Sequence, residues 1–145
     1  MKPGLRPGVS RVNRITIGPE RTISFMGDEA RTYATPAMIR DIEYTCRDLI
    51  MEHADAGEDS VGMEVAVKHL APTLLGMTVE ITVRVLAVDG RKVSFDVAVK
   101  DELDDVGARC LTATSIPTES SPASACSMMR SRQVYSISRI IAGVA

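Results

Sequence analysis

Val79-Glu80-Ile81-Thr82-Val83-Arg84-Val85, then Asp89-Gly90, then Val93-Ser94-Phe95-Asp96-Val97-Ala98-Val99 is the stretch on which the fold turns. Apolar and polar residues alternate with a period of two in both runs, so each reads as a strand with one buried face. An Asp-Gly pair between two such runs is a strong short-range signal for a tight turn. The stretch predicts an antiparallel hairpin.

Working outward, Met63, Val65, Val67 and His69 fall on one face of an extended segment, Glu64, Ala66 and Lys68 on the other, and Pro72 ends the pattern. Residues 106–113 offer one more strand. Upstream, Thr35-Pro36-Ala37 reads as a helix start, with a hydroxyl available to cap and a proline where its missing N–H costs nothing. Met38, Ile42, Cys46 and Leu49 then recur at spacings of three and four, and Ile39 and Ile50 widen the stripe. The helix is expected to run to about His53, closed by Gly57 in a polar loop over residues 54–60. Before it lie a short strand over residues 12–17, ended by Gly18-Pro19, and a long loop or lid over residues 19–34. One helix among antiparallel strands points to an α+β fold. The economical arrangement is a curled antiparallel sheet wrapped around one long central helix, with the uncovered surface paired in a homodimer.

The chain has 145 residues, enough for one domain with a real core and too few for a multidomain enzyme. Seventeen basic against nineteen acidic side chains give a net charge of -2, which provides no overall attraction to nucleic acid or an anionic membrane. Aromatics are only 3% with no Trp, so base-stacking platforms are not expected and the core must be aliphatic. Cys46, Cys110 and Cys126 are odd in number and widely spaced, fitting neither a disulfide framework nor a zinc site. No apolar run approaches the roughly 18 residues of a spanning helix, and the opening Met-Lys-Pro-Gly lacks a signal-type apolar region. The expectation is a soluble, cytoplasmic protein.

The C-terminal part differs in character. Residues 1–111 carry net charge -4 and residues 112–145 carry +2, and the latter are rich in Ser. The expected division is a domain over residues 1–113 and a Ser-rich tail over 114–145, with residues 134–144 apolar enough to dock.

Few residues can carry neutral-pH chemistry, since there are only two histidines. His69 is in phase with the apolar face of its strand, either as a core histidine or as a base. His53, between Glu52 and Asp55, reads as a solvated helix end. Glu43 lies in the apolar stripe of the helix, where a carboxylate needs a partner. Either it pairs with Arg47 at i,i+4, or it faces the sheet with His69 as its natural partner. Thr35 is explained by capping or by a place in the same set. Gly62 reads as a strand-entry glycine or as a backbone donor for a developing oxyanion. Gly-rich phosphate loops, nucleophile elbows and clustered metal ligands are missing from the sequence, leaving ATP, nicotinamide and zinc chemistry without support.

These residues also carry a resemblance. Tyr33-Ala34-Thr35-Pro36-Ala37-Met38, Asp41-Ile42-Glu43-Tyr44, Gly57-Glu58-Asp59-Ser60-Val61-Gly62, Val67-Lys68-His69-Leu70-Ala71-Pro72 and Asp104-Asp105-Val106-Gly107 resemble the hotdog-fold thioesterases of the fluoroacetyl-CoA thioesterase type. The resemblance covers roughly residues 1–107. It implies a hotdog fold and a cofactor-independent acyl-CoA thioesterase with coenzyme A as part of its substrate. It further implies a catalytic set of Thr35, Glu43 and His69, and substrate binding by Gly62 and Tyr33. A homodimer, with a tetramer open, and no nucleic-acid or membrane partner complete the expectation. The lid here reads Phe25-Met26-Gly27-Asp28-Glu29-Ala30-Arg31-Thr32-Tyr33, short and polar where the fluoroacetate specialist carries a phenylalanine-bearing lid, so fluoroacetyl specificity does not carry over. A non-catalytic acyl-CoA binding or sensing module on the same fold is the alternative, and an enoyl-CoA hydratase a third reading.

Overall fold

The structure is a computed structural model that describes the backbone of residues 2–117 and the side chains of residues 2–107. Strand β1 (Ser10–Thr16) is followed by two single 3-10 turns, Pro19–Arg21 and Asp28–Ala30, which lie within the expected lid. Helix α1 spans Thr35–Glu52, and strands β2 (Glu58–Val65), β3 (Lys68–His69), β4 (Thr78–Asp89), β5 (Lys92–Lys100) and β6 (Asp105–Pro117) complete the described chain. All pair antiparallel, in the order β1-β4-β5-β6-β2, with β3 beside β2 on the same edge of β6.

The expected antiparallel hairpin forms, with Ile81 opposite Val99, Val83 opposite Val97 and Val85 opposite Phe95. All six of these side chains are buried, as are Val79 and Val93. They form the inner face on which α1 lays Met38, Ile42, Cys46, Leu49 and Ile50. With almost no aromatic volume to spend, the core is built from many small aliphatic contacts whose sum is large. Past Val85 a bulge interrupts the ladder, and Leu86, the extra residue, turns outward and is exposed.

Three local expectations change. The loop expected over residues 54–60 is shorter, because β2 already begins at Glu58, opposite Pro117 of β6. The single strand expected from Met63 to His69 is two strands, with a bulge between Gly62 and Glu64 and a break at Ala66-Val67. A bulge shifts the two-residue period by one, which is why Met63 is 45% exposed while Val65 and Val67 pack against the core. Strand β6 crosses the expected 113/114 division and ends at Pro117. The segment 134–144, expected to dock, lies outside the described residues.

Ile81 is fully buried at the middle of the inner face. Ile81→Ala is expected to cost about 2–5 kcal/mol, seen in urea unfolding as a lower midpoint at an unchanged slope.

Candidate active site

The N-terminus of α1 is held where two short segments meet. Thr35 is the first helical residue, preceded by Ala34 as the cap position, and no side chain caps this end. The capping role expected of the Thr35 hydroxyl is therefore not observed. Its Oγ1 instead lies 2.8 Å from Nδ1 of His69.

His69 reaches that position because β3 lies flat against β6, with Lys68 opposite Ala108 and His69 opposite Gly107. A Cβ at Gly107 would fall 2.9 Å from the Lys68 carbonyl oxygen and 3.4 Å from Sδ of Met38. Only a residue without a side chain lets β3 and the first turns of α1 close on β6 there. Gly107 is a site residue that sequence reasoning passed over, since its requirement is a close approach between segments far apart in the chain.

The imidazole is half-buried, and burial is the main reason its pKa lies below the ordinary 6.5, with a backbone interaction at Ala71 opposing it in part. Desolvation disfavours the imidazolium, so His69 is held in its neutral, proton-accepting form at neutral pH. Its Nε2 is buried and makes no hydrogen bond among the described residues.

Glu43 settles differently from both expectations. Arg47 donates two hydrogen bonds, of 2.9 and 3.0 Å, to Asp59 rather than pairing with Glu43. Glu43 does face the sheet, but against β2: a Cβ built on Gly62 would land on the Glu43 carboxylate. Glu43 does not hydrogen-bond His69. Two pairs thus share one helix, Thr35 with His69 at its start and Glu43 with Gly62 further along. Eight residues of α1 separate Thr35 from Glu43, about 12 Å of helical rise.

Tyr33, expected to bind substrate, packs against His69. It is 2% exposed, and its ring meets the imidazole edge-on with centroids 6.5 Å apart and planes at 78°. Its hydroxyl donates to Oδ2 of Asp41 at 2.6 Å, and Arg21 Nε donates to the same oxygen at 3.0 Å. Burial and the neighbouring Asp41 carboxylate push the phenol pKa well up, so it stays a hydrogen-bond donor. His53, read as a solvated helix end, is half-buried, with Nδ1 3.0 Å from the Leu49 carbonyl oxygen and its own carbonyl accepting from the Lys2 amide.

A nucleophile-type hydroxyl on a neutral imidazole is a pair suited to acyl transfer, and a carboxylate seated on a glycine lies further along the same helix. Comparison with known proteins agrees. The family of fluoroacetyl-CoA-specific thioesterases matches residues 17–113. This chain belongs to that family. Among its relatives, the fluoroacetyl-CoA thioesterase of Streptantibioticus cattleyicolor is 29% identical over 115 residues, covering 74% of this chain and 83% of the relative. A solved structure of the fluoroacetyl-CoA thioesterase FlK superposes with a TM-score of 0.76 at 25% identity, covering 90% of this chain and 98% of the other. A thioesterase superfamily member from Thermus thermophilus superposes with a TM-score of 0.75 at 28% identity, covering 90% and 94%. The architecture is the hotdog fold, and family membership makes the protein an acyl-CoA thioester hydrolase. No helix among the described residues is long and apolar enough to cross a membrane.

The lowered pKa of His69 has a measurable sign. The unfolded chain takes up a proton near 6.5 and the folded chain only at lower pH, so stability declines as pH falls through that window. An NMR titration of the His69 ring is expected to show a midpoint below 6.5, with thermal stability falling over the same range.

Proposed function

We propose that this family member hydrolyses a small acyl-CoA thioester, with Thr35 as nucleophile and His69 as its base. The observation that carries the reading is the 2.8 Å contact between Thr35 Oγ1 and His69 Nδ1, within the reach a base needs to take a proton. Thr35 Oγ attacks the thioester carbon as its proton passes to His69. The C–S bond then breaks, and the coenzyme A thiolate leaves with that proton. Water next attacks the acyl-threonine ester, giving one proton to His69, which returns it to Thr35 as the carboxylic acid is released. No redox partner or further group is required, consistent with cofactor-independent hydrolysis. The backbone of Gly62 would bind the thioester oxygen, and Glu43 beside it would orient the attacking water. The small acyl group follows from the relative's substrate, fluoroacetyl-CoA, a two-carbon acyl chain. A cytoplasmic setting, where acyl-CoA pools are found, fits this chemistry.

The separation of the two pairs along α1 supports a homodimer with a composite site. Strand β2 closes one end of the strand order, and an open strand edge is a ready template for another chain. A two-fold pairing of copies along β2 sets their helices side by side and antiparallel. Glu43 and Gly62 of one copy would then approach Thr35 and His69 of the other.

Free-thiol release from a panel of short, medium and aryl acyl-CoAs tests the chemistry. Turnover is expected to fall at least about a hundredfold in His69→Ala and in Thr35→Ala. Variants that bind CoA thioesters as the unaltered protein does, with no turnover in any of them, would instead support the binding module, and product without free thiol would indicate hydration.

Mixing tests the composite site. His69→Ala and Glu43→Gln homodimers are each expected to be nearly inactive, and exchange of subunits between them should restore activity, because a mixed dimer holds one intact composite site. Mixed dimers as inactive as their parents would place all catalytic groups on one chain.

A further inference from the structure

Asp41 is the one buried charged side chain among the described residues, at 3% exposure. A carboxylate in that position is costly unless hydrogen-bonded and neutralised, so its partners show what it is for. Both come from the segment that precedes the helix. Arg21 donates from Nε at 3.0 Å and from Nη2 at 3.4 Å, and Tyr33 donates its hydroxyl at 2.6 Å. Arg21 also bonds Glu20, and the Arg21 carbonyl oxygen accepts from the Ala34 amide at 2.8 Å. The Tyr33 amide in turn donates to the Thr73 carbonyl oxygen at 2.7 Å. The segment is therefore clamped at both ends, and the Tyr33 ring, two residues before Thr35, lies edge-on to His69.

Asp41 and Thr35 stand on the same helix, six residues apart. The rigid helix fixes the nucleophile relative to Asp41, Asp41 fixes Tyr33, and Tyr33 backs the imidazole against which Thr35 bonds. A buried ion pair kept only for stability is replaceable by apolar residues of similar volume. One that orients a ring behind the base is not.

We infer that Asp41 is a positioning residue for the Thr35–His69 pair, acting through the Tyr33 hydroxyl, with Arg21 bonded to both carboxylate oxygens. The inference rests on the thioesterase reading above, in which Thr35 and His69 do the chemistry. A group acting this way affects the rate of the bound complex rather than substrate affinity, since small displacements of reacting groups are costly to chemistry.

The test measures kcat and KM on the best acyl-CoA for Tyr33→Phe, Asp41→Asn, Asp41→Leu and the double variant Asp41→Leu/Tyr33→Phe. Urea unfolding of each, and Thr35→Ala and His69→Ala, run in parallel. Tyr33→Phe keeps the ring and removes only the hydroxyl, so it is expected to fold and to lose about tenfold in kcat with KM within about twofold. Asp41→Asn keeps an oxygen that accepts from Tyr33 and is expected to retain more kcat than Tyr33→Phe. The double variant is expected to be no slower than the slower of its single parents, because both remove one link.

An unchanged kcat in Tyr33→Phe, with a change in stability or KM alone, overturns the inference, as do additive losses in the double variant. Should Asp41→Leu not fold, Tyr33→Phe and Asp41→Asn decide it. The two readings fail separately. If Thr35→Ala and His69→Ala leave turnover intact, the thioesterase chemistry assigned to them falls; if they abolish it while Tyr33→Phe keeps full kcat, only the role of Asp41 falls.

Discussion

A single helix has to cover the inner face of the whole sheet, and the rest of the structure follows from that constraint. Strands β4 and β5 present eight buried apolar side chains, and α1 supplies the residues that shield them. The sheet curls to meet one helix rather than two. Because α1 is spent on this packing, most of its charged side chains lie on the exposed face, and few polar groups are left at its margins and start. Thr35, Glu43 and Asp41 occupy those places, each against a different part of the surrounding chain.

The glycines show how the sheet tolerates chemistry at its rim. Gly107 lets β3 come within contact of β6 below the first turns of α1, and Gly62 leaves room for the Glu43 carboxylate at the bulge of β2. A side chain at Gly62 would push on the Glu43 carboxylate, and one at Gly107 on the Lys68 carbonyl and the buried Met38. Bulges next to active sites commonly serve to aim a side chain, and here the bulge after Gly62 turns Met63 outward while β3, resuming after a break, brings His69 back inward.

Charge is handled in two ways around the site. The Arg47–Asp59 pair lies near the surface, with side-chain exposures of 43% and 34%, and contributes little. Asp41, by contrast, is buried with a guanidinium and a phenol as its donors. That network joins the lid to the helix and so couples the segment before Thr35 to the imidazole after it. His69 has no charged partner in the described chain, which is why burial sets its basicity.

The alternating runs 79–85 and 93–99, with Asp89-Gly90 between them, determined the hairpin by themselves, because period-two burial is a local property. The spacing of Met38, Ile42, Cys46 and Leu49 likewise determined α1. Thr35, Glu43, His69, Gly62 and Tyr33 could be singled out as candidates from residue type, position and family resemblance. Which of them touch was decided only by tertiary structure, since contact depends on strand register, and one bulged residue changes which side chains face inward. The sequence offered Glu43 either Arg47 or His69, and the fold gave it Gly62, while Arg47 went to Asp59. Asp41, although it belongs to one of the motifs that carry the resemblance, has the spacing of an ordinary helix residue. Its importance arises from Arg21 and Tyr33, twenty and eight residues earlier in the chain, which no local pattern brings together.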